Sequence, residues 1–223
     1  YSSAASDVYK RQTQGGLRHG MHNRTLGCMP ISHGIGFFGV FLPTLAFNGT
    51  YFVAAEFNPA AIVDLIEREK ITYTFCVPTM FQAIVSAPNY APAKMLSLEI
   101  VLFGGITIDP DLLARIDTEW GGAIRHIYGT TETMCTLSNP DPVGEHATLR
   151  PGYLSRTRVV YIDGGGPDDV VAAGEEGELI IDSTNGPVFV EYLGRPDATA
   201  KKLSDGWYYT GDIFRPVSYT HLR

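Results

Sequence analysis

The chain has no apolar run long enough to cross a bilayer. Its longest, residues 35–47, is broken by Gly39 and Pro43, whereas a spanning helix needs about 20 apolar residues. A buried strand–turn–helix segment is the better reading. Cysteine is scarce. Cys28, Cys76 and Cys135 are odd in number and far apart, with no Cys-x-x-Cys or Cys/His pair at metal-ligand spacing. Reduced, mostly buried thiols in a cytoplasmic protein are expected. Positive charge is also in short supply. Lys and Arg number 17 against 24 Asp and Glu, a net charge of −7. That excludes a broad nucleic-acid surface and says nothing against a local anion site. The sequence shows no internal repeat and no low-complexity tract.

What is present reads as an ordinary folded chain. The 223 residues are 44% hydrophobic and 18% charged, enough for one large domain or two small ones. Leu26, Cys28 and Ile31 suggest a strand running into a loop. Asn58-Pro59 is a helix start: asparagine can cap the free N–H groups, and proline suits the first helical position. Ile62, Leu65 and Ile66 recur on one face, with Asp64, Glu67 and Arg68 opposite. Residues 71–77 form a β-branched and aromatic strand that Pro78 ends, opening a further helix. The unit repeats as a strand at residues 99–103, a helix capped by Asp109-Pro110, and a strand at residues 123–127. Alternating strands and helices predict a parallel sheet.

After Pro151 the texture changes. Residues 158–163, 177–182 and 188–192 read as short strands between Gly, Pro and acidic turns, followed by a short helix at residues 196–203. The expected fold class is therefore α/β, with a parallel-sheet subdomain over residues 13–150 and a small antiparallel β-subdomain over residues 151–215. Residues 1–12 and 216–223 resemble translated sequencing-adaptor sequence and are set aside from fold reasoning.

In open parallel sheets, ligands gather at the C-terminal ends of strands. Two such ends are Gly104-Gly105 and Tyr128-Gly129. Glycine lets a backbone approach a flat ring or a phosphate. Tyr128 offers a face for stacking. Thr130 and Thr131 offer donors to phosphate oxygens, and Glu132 offers a hard oxygen for Mg2+. His126 lies two positions before the loop and can meet a base or substrate. Taken alone, such a Gly-Thr-Thr-Glu loop is more often a plain turn, and a lone histidine such as His33 more often a core or loop residue.

The string Tyr128-Gly129-Thr130-Thr131-Glu132, followed some eighty residues later by Gly206-Trp207-Tyr208-Tyr209-Thr210-Gly211-Asp212, resembles the adenylate-forming enzymes. These include acyl-CoA synthetases, luciferases and peptide-synthetase adenylation domains. Gly104-Gly105 upstream, Gly177-Glu178-Leu179, and the segment Pro30-Ile31-Ser32-His33-Gly34-Ile35-Gly36 extend the resemblance. It implies ATP and coenzyme A as substrates with Mg2+ as cofactor, and a carboxylic acid as the molecule activated. By the same resemblance Tyr128 packs on adenine, Thr131 meets the α-phosphate, Glu132 helps hold magnesium and Asp212 accepts the ribose hydroxyls. Thr131 and Glu132 carry the catalytic role. Gly104, Gly105, His126, Gly129 and Thr130 line the nucleotide. His33 sits between the acyl pocket and the thiol channel, and Phe38 is the apolar candidate for the acyl wall. No aspartate lies between Pro30 and Pro43, which favours a plain acid over an amino acid.

Two parts of the family pattern are not found between residues 13 and 215: the Ser/Thr/Gly-rich phosphate loop with its lysine, and the C-terminal domain with its hinge and lysine. The expectation is a truncated N-terminal domain of an acid:CoA ligase, inactive by itself. A non-catalytic nucleotide-binding module and a luciferase-like or peptide-synthetase relative are the alternatives.

Overall fold

The computed structural model describes residues 22–218 apart from 146–147, 153–154, 163, 165, 185 and 187, together with residues 221–222. The expected tail at residues 1–12 lies outside the described residues. So do residues 13–21 at the start of the expected α/β subdomain.

The polypeptide builds a seven-stranded sheet in the order β2-β1-β3-β4-β5-β6-β7. Its strands are β1 (Arg24–Gly27), β2 (Thr50–Val53), β3 (Tyr73–Cys76), β4 (Ile100–Phe103), β5 (Ala123–Tyr128), β6 (Leu137–Asn139) and β7 (Arg150–Pro151). The first five are parallel, and β6 and β7 are added antiparallel. All four residues of β3 and of β4 are buried, the pattern of a parallel strand covered on both faces. Side chains alternate between the two covers. Val101 and Phe103 face one apolar cluster with Ile62, Ile66, Phe81 and Leu113. Ile100 and Leu102 face another with Val40, Tyr73 and Phe75. A strand period of two places them so.

Helices α1 (Leu42–Ala46), α2 (Pro59–Glu69), α3 (Pro78–Val85) and α4 (Pro110–Glu119) connect the strands. The expected caps form. Asn58 accepts from the Ala61 N–H at 3.1 Å. Asp109 accepts from the Asp111 and Leu112 N–H groups at 3.0 Å each. Lys70 ends α2 in the left-handed conformation. The apolar segment ahead of α1 winds as a π-helix over Ile35–Phe41. Among the described residues no helix is long and apolar enough to cross a membrane.

The second sheet is antiparallel and four-stranded, in the order β10-β11-β9-β8. It holds β8 (Thr157–Val160), β9 (Gly177–Asp182), β10 (Leu203–Ser204) and β11 (Trp207–Phe214), with α5 (Pro196–Lys202) leading into β10. Residues 188–192, expected as a strand, are irregular. The backbone N–H of Phe189 bonds the Glu132 carbonyl at 2.7 Å rather than a neighbouring strand. Leu137 and Leu149 share one apolar cluster with Leu179, Ile181, Tyr208 and Phe214, so the two sheets are packed together. Residues 216–218 and 221–222, set aside in the sequence reading, pair antiparallel as β12 (Pro216–Ser218) and β13 (His221–Leu222). Buried Leu222 bridges Leu149.

Candidate functional site

The chain order β2-β1-β3-β4-β5 reverses direction between β1 and β3. In open α/β sheets the crevice beyond the strand ends at such a reversal is where ligands bind. One cavity lies there, and a second adjoins it beyond the ends of β4 and β5. The smaller, about 280 Å³, is lined by the segments following β1, β3, β4 and β5. Its walls include Met29, His33, Ile35, Phe75, Val77, Met134 and Cys135, with Gly104 and Thr131. The larger, about 490 Å³, lies between the two sheets. It is lined by Phe103, Ile106, Ile108, His126, Tyr128, Asp212 and Phe214, among others. Gly105, Ile127, Gly129 and Thr130 line both cavities and form the shared wall.

Glycine is required in that wall. A Cβ on Gly129 would stand 1.4 Å from the Met134 carbonyl oxygen, and one on Gly104 would stand 2.4 Å from that of Ile127. Gly105 has φ of +92°, which side chains rarely tolerate. The loop after Gly129 is a tight turn. The Thr130 carbonyl accepts from Thr133 and Met134, and Thr130 and Thr133 hydroxyls pair at 3.1 Å.

Asp212 reaches the cavity through a bulge. The pairing of β11 with β9 shifts register between Tyr209 and Ile213. Gly211 adopts φ of +84°, and its N–H bonds Glu178 Oε1 at 2.8 Å. Bulges re-aim a side chain in this way. The Tyr128 hydroxyl then donates to Asp212 Oδ2 at 2.5 Å, across 84 residues of sequence. The Tyr128 ring sits edge-on to Phe214 at 5.1 Å. Burial first, and then the Asp212 carboxylate, push the Tyr128 phenol well above its usual range. His126 stacks flat on Phe103 at 4.6 Å.

Glu132, next in the same turn, lines neither cavity. Its Oε1 accepts from the Tyr192 hydroxyl at 2.7 Å. Burial alone would raise its carboxyl, but the Tyr192 hydroxyl, the loop's own N–H, Thr130 and Lys202 outweigh it and hold it below the usual carboxylate range. Among the described residues no three His, Cys, Asp or Glu side chains gather as a ready-made metal site. A single carboxylate suits magnesium, which keeps water and takes phosphate oxygens as its other ligands.

In the smaller cavity, His33 Nδ1 accepts from the Ile35 N–H at 3.2 Å, so the neutral ring carries its hydrogen on Nε2. Burial pushes the Cys135 thiol up to about 12. Phe38 lines neither cavity; its ring packs edge-on against Phe37 at 5.0 Å. The cause is the π-helical winding. Bonds from i to i+5 bring Val40, not Phe38, onto the face of Ile35, and both join the same cluster. The sequence reading also passed over Phe75, Val77, Met134 and Cys135. Val77 was within reach, because it follows β3 directly at a strand end. Tyr192 had no local signal.

The model of the AMP-binding enzyme family matches residues 2–193. The chain belongs to this family. Its relatives within the family include acid:CoA ligases. A 4-chlorobenzoate–CoA ligase from Arthrobacter is 46% identical over 200 residues, covering 90% of this chain and 38% of the relative. A feruloyl-CoA synthase from Amycolatopsis is 34% identical over 196 residues, covering 85% of this chain and 38% of the relative. The chain thus spans well under half the length of either relative. The fold matches the N-terminal domain of FACL13 from Mycobacterium tuberculosis with a TM-score of 0.85, covering 98% of this chain and 54% of that one, at 19% identity. It is the α/β N-terminal domain fold of adenylate-forming enzymes.

Proposed function

We propose that this chain is the nucleotide- and acyl-binding part of an ATP-dependent carboxylic acid:CoA ligase. One observation carries the reading. Two cavities at the ends of the parallel strands share a wall of Gly105, Ile127, Gly129 and Thr130, so a nucleotide in one and an acid in the other would meet at the Thr130–Thr131 turn. The larger cavity takes AMP. Tyr128 offers its ring to adenine, with Gly105, His126 and Gly129 around it and Gly104 next in chain on the smaller-cavity side. Asp212 offers a carboxylate to the ribose hydroxyls, Tyr128 holding one of its oxygens. Thr130 and Thr131 donate to the α-phosphate. Mg2+, when bound, neutralises phosphate charge, and Glu132 is the side chain that would hold it.

The smaller cavity takes the acid. Its apolar walls and its volume of about 280 Å³ suit a compact aryl carboxylate. The names of the two relatives, chlorobenzoate and ferulate ligases, support the same class. The acid's carboxylate attacks the α-phosphorus, pyrophosphate leaves, and the thiol of coenzyme A then displaces AMP. The chain's contribution is to hold the reactants in line and aim donors at the developing charge. His33 lines this cavity, and the incoming thiol would pass it. The 223-residue chain by itself is proposed to bind nucleotide without turnover. A cytoplasmic location belongs to the same proposal, resting on three free, buried thiols.

The test is calorimetric titration of AMP into the chain and into Asp212→Ala. We expect saturable binding by the former, weakened about tenfold or more by loss of a charge-assisted contact. Equal affinity in the two proteins defeats the assignment of Asp212. Absence of binding in both defeats the nucleotide site.

A further inference from the structure

The irregular segment between β9 and α5 touches the phosphate turn twice. The Phe189 N–H donates to the Glu132 carbonyl at 2.7 Å, and the Tyr192 hydroxyl donates to Glu132 Oε1 at 2.7 Å. One bond fixes the backbone of Glu132 and the other fixes its side chain. Tyr192 is itself held from behind. Its N–H bonds Thr199 Oγ1 at 3.0 Å, and its carbonyl accepts from the Arg195 N–H at 2.9 Å. Its ring leans on Phe189 at 4.6 Å, and Phe189 meets Tyr208 of β11 edge-on at 5.6 Å. The tyrosine is thus anchored to α5 and to the second sheet, yet its polar tip is spent on a carboxylate sixty positions away.

Val188 and Phe189 pack against the apolar cluster of the second sheet and seat the start of the segment. Val190 and Leu193, on either side of Tyr192, are 74% and 93% exposed, so apolar burial does not account for the hydroxyl bond that Tyr192 makes. A long carboxylate side chain on a surface turn otherwise samples several rotamers, and ordering it costs entropy at the moment of binding. A phenol anchored on two other elements removes that cost beforehand.

We propose that Tyr192 is a positioning residue for Glu132. It fixes the carboxylate rotamer through Oε1, and the carboxylate so held is the one that would meet magnesium. The inference rests on the reading of Glu132 given above, and goes beyond it by naming the residue that makes Glu132 competent. Tyr192 touches no substrate in this account. It acts only through Glu132.

The experiment is nucleotide titration of the 223-residue chain with two probes: ATP with excess Mg2+, and AMP with a chelator. The proteins are the wild type, Tyr192→Phe, Glu132→Gln and the double variant, each checked by thermal melting. Tyr192→Phe is expected to weaken Mg·ATP about tenfold, the order of one hydrogen bond to a charged group. It is expected to leave metal-free AMP unchanged and to add nothing in the Glu132→Gln background. Thr199→Val, which loosens the anchor without touching Glu132, is expected to show the same metal-selective loss to a smaller degree. Should Tyr192→Phe melt too early to be read, Thr199→Val decides. Equal losses for both probes, a further loss on top of Glu132→Gln, or no change at all overturns the positioning role. If the wild type binds neither probe, the functional reading falls and the inference with it. If the wild type binds both and only the variants disappoint, the inference falls alone.

Discussion

Replacing Tyr128 with phenylalanine removes one hydroxyl and leaves the ring and its contact with Phe214. The bond lost is the 2.5 Å link to Asp212 that joins the two sheets across the larger cavity. A hydrogen bond to a charged group contributes about 1.5–3 kcal/mol when shielded. Asp212 is exposed, so solvent screening reduces this to about 1 kcal/mol. For a chain of this size that corresponds to a fall of about 2–4 °C in Tm. The pH dependence is more telling. The phenol of Tyr128 is raised above its ordinary value of 10.0 in the folded state. A group raised on folding contributes fully below its unfolded value and loses that contribution as pH climbs past it. The full linkage slope is about 1.4 kcal/mol per pH unit; screening at exposed Asp212 limits the size of the shift, and so the total lost, not the slope. Wild type therefore exceeds Tyr128→Phe by a constant margin at neutral pH, and the margin closes within about one to two pH units above 10.0. Urea denaturation of both proteins across that range measures it. A margin that is absent, or that persists unchanged at high pH, refutes the proposed link.

Two further outcomes follow from the site's geometry. Gly129→Ala places a Cβ 1.4 Å from the Met134 carbonyl oxygen. The turn must shift, so the variant should lose more than about 2 kcal/mol of stability and lose AMP binding even where it remains folded, read by denaturation and calorimetry. Cys135, with its thiol pushed up to about 12 from an ordinary 9.0, should alkylate roughly a thousandfold more slowly than an ordinary thiol at mildly alkaline pH. A timed iodoacetamide reaction with peptide mapping tests this, and rapid labelling of Cys135 in the folded chain contradicts it.

Much of the fold was legible because its signals are local. Residues 73–76 and 100–103 are uninterrupted apolar or β-branched runs, as strands buried on both faces must be. Asn58 and Asp109 advertised their helices through capping chemistry. The strand-end rule led to the two adjoining cavities, since Gly105 and Gly129 line both, Gly104 the smaller and Tyr128 the larger. What escaped depends on distant partners or unusual winding. Residues 188–192 have strand composition, but the Phe189 N–H goes to the Glu132 carbonyl and the Tyr192 N–H to Thr199 Oγ1 rather than to a neighbouring strand. Phe38 reads as a pocket residue because it is apolar and follows the His33 segment, but it lies in a π-helix and lines neither cavity. The Tyr128–Asp212 and Tyr192–Glu132 bonds join residues 84 and sixty positions apart. No window of sequence contains either pair.

The central claim is that one adenosine occupies the space between the two sheets. A structure determined with AMP bound tests it most directly. The account predicts adenine against the Tyr128 ring, ribose hydroxyls within hydrogen-bonding distance of Asp212, and phosphate at the Thr130–Thr131 turn. AMP seated elsewhere, with Asp212 still bonded only to Tyr128 and the cavity between the sheets empty, contradicts it.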